Sequence, residues 1–116
     1  MAIHNFREMK IWKESIRLVK NIYVFTGYLP REKTFNLISQ MNRSSVSIPS
    51  NIAEGSVKTT NKDFKRFLDI SIASSYELET QLILANEIYQ IEINELVTEI
   101  YNLQNRIIGF ERQLND

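Results

Sequence analysis

Arg43, Ser47 and Asn51 recur every four residues, and Glu54 follows three after Asn51, so a helix sets all four in one polar stripe. Such a stripe could do chemistry in only a few ways. A serine could act as a nucleophile, and Glu54, Glu77 and Glu79 could form a carboxylate cluster. A serine nucleophile needs a general base. The single histidine, His4, precedes the first expected helix and is expected to be a solvated terminal residue, which leaves only carboxylates or lysines as bases. With no cysteine, thiolate zinc sites, cysteine nucleophiles and disulfides are excluded. No Glu-x-x-His occurs, so the paired-carboxylate metal site of helical bundles is excluded too. Gly27, Gly55 and Gly109 stand singly and make no phosphate-cradling loop. No catalytic residue, metal site or cofactor is therefore expected. Arg43, Ser47, Asn51, Glu54 and Glu77 are expected instead to form a structural network, because a buried charge has to be paired.

The elements that must hold this stripe are helices. Asn5 as N-cap with Glu8 three residues on predicts a first helix over 6–26, stopped by Gly27 and Pro30. Its expected seam is Met9, Trp12, Ile16, Val19 and Tyr23, thickened by Leu18, Ile22 and Phe25. The second helix is expected over 32–56, with Ile38, Met41, Ser45, Ile48, Ile52 and Gly55 on its core face. Pro49 interrupts it, costing about 3 kcal/mol unless compensated. Because the seam keeps its phase through the proline, one kinked helix is expected rather than two. Thr60 with Asp63 opens a third helix over 61–89, on a seam of Phe64, Phe67, Ser71, Ser74, Leu78, Leu82 and Ala85. Small residues on both facing seams allow close approach, with serine hydroxyls available to the polar stripe. The fourth helix, over 92–113, has the clearest row: Ile93, Leu96, Ile100, Leu103, Ile107, Phe110 and Leu114. These readings predict an all-α chain, one domain over 1–116, arranged as an antiparallel up-down-up-down four-helix bundle.

No apolar run approaches the roughly 18 residues of a membrane span, and no apolar leader opens the chain, so the expected location is the cytoplasm without a membrane partner. The net charge of zero hides an asymmetry. Residues 1–66 hold twelve of the 14 Lys+Arg and five of the 14 Asp+Glu, a net +7, while residues 67–116 hold two and nine, a net −7. The split permits nucleic-acid contact despite the neutral total, and equally permits one copy's basic half to dock on another's acidic half. Candidate contact residues, for nucleic acid or for a second subunit, are Arg7, Lys10, Lys13, Arg17, Lys20, Arg43, Lys58, Lys62, Lys65 and Arg66. For the row on the first helix, plain solvation of an outer face competes with either role.

The stretch Gln40–Gly55, above all Val46-Ser47-Ile48-Pro49-Ser50-Asn51-Ile52-Ala53-Glu54-Gly55, resembles the signature of the four-helix-bundle family encoded by 23S rRNA intervening sequences. Phe6 with Trp12, then Tyr23, Pro30 and Leu37, and then Phe64, Phe67-Leu68 and Ser75–Glu79 extend the likeness over nearly the whole chain. The resemblance implies a left-handed bundle, a ring-like homopentamer and no catalytic residue. Related bundles include the accessory protein of diversity-generating retroelements, which binds nucleic acid and a reverse transcriptase. The family often carries two basic residues where Asn42-Arg43 stand, and often an arginine near Lys58. Both departures lower the positive charge, and with it the strength of RNA binding that the resemblance implies. Two functions stand side by side: a non-enzymatic homopentameric scaffold that associates with RNA or DNA, and a protein-binding adaptor oligomer that does not.

Overall fold

The computed structural model describes residues 4–114. Among them, a 3-10 turn, Phe6–Glu8, is followed by α1 (Lys10–Gly27), α2 (Arg31–Ser56), α3 (Asn61–Tyr89) and α4 (Asn94–Gln113), with no strand. The molecule is a rod of about 49 × 20 × 20 Å. Consecutive helices pack on one another, and α1 also packs on α4.

Hydrogen bonds fix the direction of each pair. Between α2 and α3, Tyr89 bonds Lys33, Ser44 bonds Gln81 and Ser47 bonds Ser74, so residue numbers rise on one helix as they fall on the other. Between α1 and α4, Glu14 meets Arg106 and Asn21 meets Glu99, again in opposite directions. Gln104 on Glu79 and Phe110 on Phe64 run the α3–α4 pair the same way. The bundle is therefore up-down-up-down.

The core cluster joins Leu18 and Ile22, Met41, Ile48 and Ile52, Phe64, Leu68, Leu78 and Leu82, and Ile100, Leu103 and Ile107. Every expected seam residue of α2 is buried, and of the α4 row only Leu96 and Phe110 remain partly open. The α1 seam is different from the expected one. Its buried row is Ile11, Ser15, Leu18, Ile22 and Thr26, while Trp12, Ile16 and Val19 lie half-buried at the α1–α2 edge and Tyr23 is exposed. Two apolar rows run along this helix, and periodicity alone picked the larger side chains. Ser15 and Thr26 hold places in the buried row because their hydroxyls donate to carbonyls one turn back, Trp12 and Tyr23.

The first helix also begins later than expected. Asn5 caps the short 3-10 turn, its side chain accepting from the Arg7 N–H, and Met9 is extended (φ −74°, ψ 129°) before α1 starts. In one continuous helix Phe6 and Trp12 would point about 120° apart. The break brings their rings to 5.1 Å. His4 is not a solvated end: its ring sits half-buried, 5.1 Å from Phe64 and 6.0 Å from Phe110. At the last connection, α4 starts two residues beyond the expected 92: Ile93 is its N-cap, and Glu92 before it accepts from the Asn94 N–H at 2.7 Å. Gln90 turns the chain in the left-handed region (φ 54°). Thr60 caps α3 as expected, accepting from Asp63 N–H at 3.1 Å.

α2 runs unbroken through Pro49. The proline leaves the Ser45 carbonyl without its helical donor. Side chains load the neighbouring carbonyls with extra bonds: Ser45 Oγ donates to Asn42 O, Ser50 Oγ to Val46 O and Asn51 Nδ2 to Ser47 O. Ser71 Oγ of α3 donates to Ile48 O at 2.9 Å. Gly55 lies against α3 so closely that a Cβ there would stand 2.7 Å from Phe67 Cβ. Small residues on both sides thus set the spacing of the α2–α3 pair.

Candidate nucleic-acid and subunit-contact surface

The polar stripe of α2 divides in two. Ser47 Oγ shares a hydrogen bond of 2.8 Å with Ser74 Oγ, and Asn51 Nδ2 donates to both Ser47 O and Ser47 Oγ. Ser44, buried one residue beyond Arg43, donates to Gln81 Oε1 at 2.8 Å. Arg43, Glu54 and Glu77 are exposed and make no hydrogen bond or ion pair among the described residues. Glu79 faces the other way, accepting from Gln104 of α4 at 3.1 Å. The network is thus neutral, built on hydroxyls and amides, and the structure does not bring Arg43, Glu54 and Glu77 into it. Neutral groups can be satisfied between two helices without the desolvation cost of a buried ion. Ser44 and Gln81 escaped the sequence reading. Their signal was the i, i+3 pair Ser44/Ser47 facing a complementary pair on the third helix.

A shallow cleft lined by Gln40, Arg43, Ser44, Ser47, Glu77 and Gln81 opens above this network. It holds no base aimed at a serine: each serine hydroxyl here is engaged with a serine, an amide or a carbonyl. Among the described residues, no group of three or more His, Cys, Asp or Glu side chains could hold a metal ion. No helix among them is long and apolar enough to cross a membrane.

The basic candidates fall in two places. Lys10, Lys13, Arg17 and Lys20 are exposed along the outer face of α1, a row about 15 Å long by helical rise, and make no ion pair among the described residues. The rest, Arg43 apart, gather at the end of the bundle where α1 and α3 start and α2 finishes. There the Arg7 guanidinium stacks 4.5 Å over the Phe6 ring and Lys58 Nζ lies 5.0 Å over Phe67. Lys62 is exposed, and Arg66 pairs with Asp63 at 3.4 Å in the open. Lys65 is half-buried near Glu111. The opposite end carries Glu32, Glu87, Glu92 and Glu95 beside Arg31 and Lys33, all exposed. Antiparallel folding has turned the charge split of the chain partly into an axial one.

At the basic end, burial pushes the Glu111 carboxyl from 4.5 up to about 7, helped by its hydrogen bond to Asp69 and by the Asp69 charge, with Lys65 opposing. Along the α1–α4 seam, Glu14 pairs with Arg106 through one oxygen while the other is buried without a partner. Both are structural features of helix pairing that the sequence reading left out.

Residues 7–112 match the family model described as 23S rRNA-intervening sequence protein. The chain belongs to that family. The match includes the Pro49 helix, both halves of the serine network and nearly all of the basic surface, so these features lie within the family's domain of similarity. The 23S rRNA-intervening sequence proteins are not a known enzyme family. No curated protein matches the chain.

Proposed function

We propose that the protein is a non-enzymatic homo-oligomeric scaffold of the cytoplasm, a homopentamer, that associates with RNA or DNA through its basic end. The observation that carries this reading is the gathering of Arg7, Lys10, Lys58, Lys62 and Arg66 at one end of the rod, with Glu32, Glu87, Glu92 and Glu95 outnumbering Arg31 and Lys33 at the other. A single copy offers few phosphate contacts. A ring repeats them, and linked weak sites gain avidity when they engage one strand together. The α1 row of Lys13, Arg17 and Lys20 serves assembly in this reading.

Fluorescence anisotropy of single-stranded and duplex RNA and DNA, titrated at several salt concentrations, tests the nucleic-acid part. Binding should weaken steeply as salt rises, because each neutralised phosphate releases about 0.7–0.9 counterions. A flat titration at low salt for every probe would reject it. Light scattering after size exclusion tests the oligomer, whose mass should be a multiple of 13.7 kDa. A protein-binding adaptor that ignores nucleic acid is the second reading. It is favoured by the exposed apolar side chains of α3, Ile70, Tyr76, Ile83, Leu84 and Ile88, which phosphate binding does not use.

A further inference from the structure

The second apolar row of α1 is only half covered by the described residues. Trp12, Ile16 and Val19 form one wall of a shallow groove, Val46, Pro49 and Ala53 of α2 form the other, and Phe6 closes one end. We propose that this groove receives the outer face of α3 from a second copy of the chain. The inference rests on the assembly reading above and names the surfaces that would carry it.

Three observations select this occupant. The outer face of α3 is unusually apolar for a solvated helix: Tyr76 is 52% and Ile83 44% exposed, seven residues apart. Trp12 and Val19 stand at the same separation along the groove, about 10.5 Å in each case by helical rise. A helix laid in a groove is held by anchors of this kind spaced one or two turns apart.

The charges of the two surfaces are opposite in sign. Beyond Arg66, the exposed ionised side chains of α3 are all acidic, Asp69, Glu77 and Glu87, while Glu79 turns to Gln104 of α4. Flanking the groove on its α1 side are Lys13 and Lys20, both exposed and unpaired among the described residues, while Arg17 turns towards the α1–α4 seam. The same-sign alternative, groove to groove, would set lysine against lysine. Groove and ridge lie on different faces of one copy, so the contact is heterologous and leaves each copy with one of each to offer. Repeated with a rotation that divides the full turn, it builds a ring.

Charge reversal on exposed positions tests the pairing while leaving the core untouched. Lys13→Glu with Lys20→Glu, and separately Glu77→Lys with Glu87→Lys, should each lower the mass in light scattering towards 13.7 kDa, with helicity by circular dichroism unchanged. Combining all four substitutions in one chain should return the wild-type mass. If the wild type is an oligomer and both double variants keep its mass, the groove–ridge contact is wrong while the assembly reading stands. Loss in the double variants without recovery in the combined chain also overturns it, since the charges would then meet other partners. A wild type that is monomeric at every concentration overturns both.

Discussion

Gly55→Ala puts the close approach of α2 and α3 to a quantitative test. The added methyl would stand 2.7 Å from Phe67 Cβ and 2.9 Å from Phe64 Cδ1, where ordinary contact begins near 3.4 Å. A ring edge can swing away, but Phe67 Cβ is fixed to the α3 backbone, so the helices themselves must separate. Overpacking of this kind costs about 1–3 kcal/mol. Against it, alanine gains about 1 kcal/mol over glycine inside a helix. The difference predicts a net loss of about 0–2 kcal/mol, near 4 °C in Tm per kcal/mol for a chain of this length, and a variant less stable than Gly109→Ala by the full overpacking cost. Gly109→Ala is the control, because nothing lies within 4 Å of its added methyl. Only the propensity gain applies there, so it should stabilise by up to about 1 kcal/mol. Urea and thermal unfolding followed by circular dichroism, at one fixed protein concentration, read both variants. If Gly55→Ala were as stable as Gly109→Ala, the helix spacing would not be set at Gly55 and the reasoning would fail.

Removing the hydroxyl of Ser47 or Ser74 alone leaves its partner short of one bond, so each single Ala variant should lose about 1 kcal/mol, and the double variant less than the sum. A double-mutant cycle by urea unfolding measures that coupling, and strict additivity would deny the bond. Glu111 binds a proton more tightly in the folded state, so stability should fall as pH rises from about 4.5 through about 7. Screening of a group this open holds the effect to about 1 kcal/mol. Glu111→Gln should flatten that slope in a series of pH-dependent melts, and an unchanged slope would remove Glu111 from the account. Lys62→Glu with Arg66→Glu should weaken RNA binding and reduce the salt slope by about 1–2, read by anisotropy. Unchanged affinity would move the contact surface elsewhere.

Much of the fold was legible because three of the four helices carry one dominant apolar row. For α2, Ile38, Met41, Ile48 and Ile52 keep phase through Pro49, and that phase outweighed the proline. In α1, two rows compete, and the larger side chains of Trp12, Val19 and Tyr23 outvoted the smaller buried set that includes Ser15 and Thr26. A hydroxyl that bonds its own helix can be buried as readily as a methyl, and side-chain type does not reveal that choice. The polar network was half legible for a related reason. Spacing places Ser47 and Asn51 towards α3 but cannot separate them from Arg43 and Glu54, whose rotation by a fraction of a turn leaves them in water. The start of α1 was unreadable because Asn5 and Glu8 fit a capping box equally well before a 3-10 turn.

The contact of His4 with Phe110 has a consequence for how the chain could be wired. Helices α1 to α4 form a closed cycle of neighbours in which the α4–α1 seam, held by Glu14–Arg106 and Asn21–Glu99, resembles the seams that have a connecting loop. Residues 4 and 110 lie side by side, so a short linker could join the two ends of the cycle, and the chain could be reopened at Tyr28–Pro30 between α1 and α2. Such a circular permutant should unfold in one transition with wild-type helicity, which circular dichroism would show. Connectivity would then be a label on this bundle rather than a source of its shape.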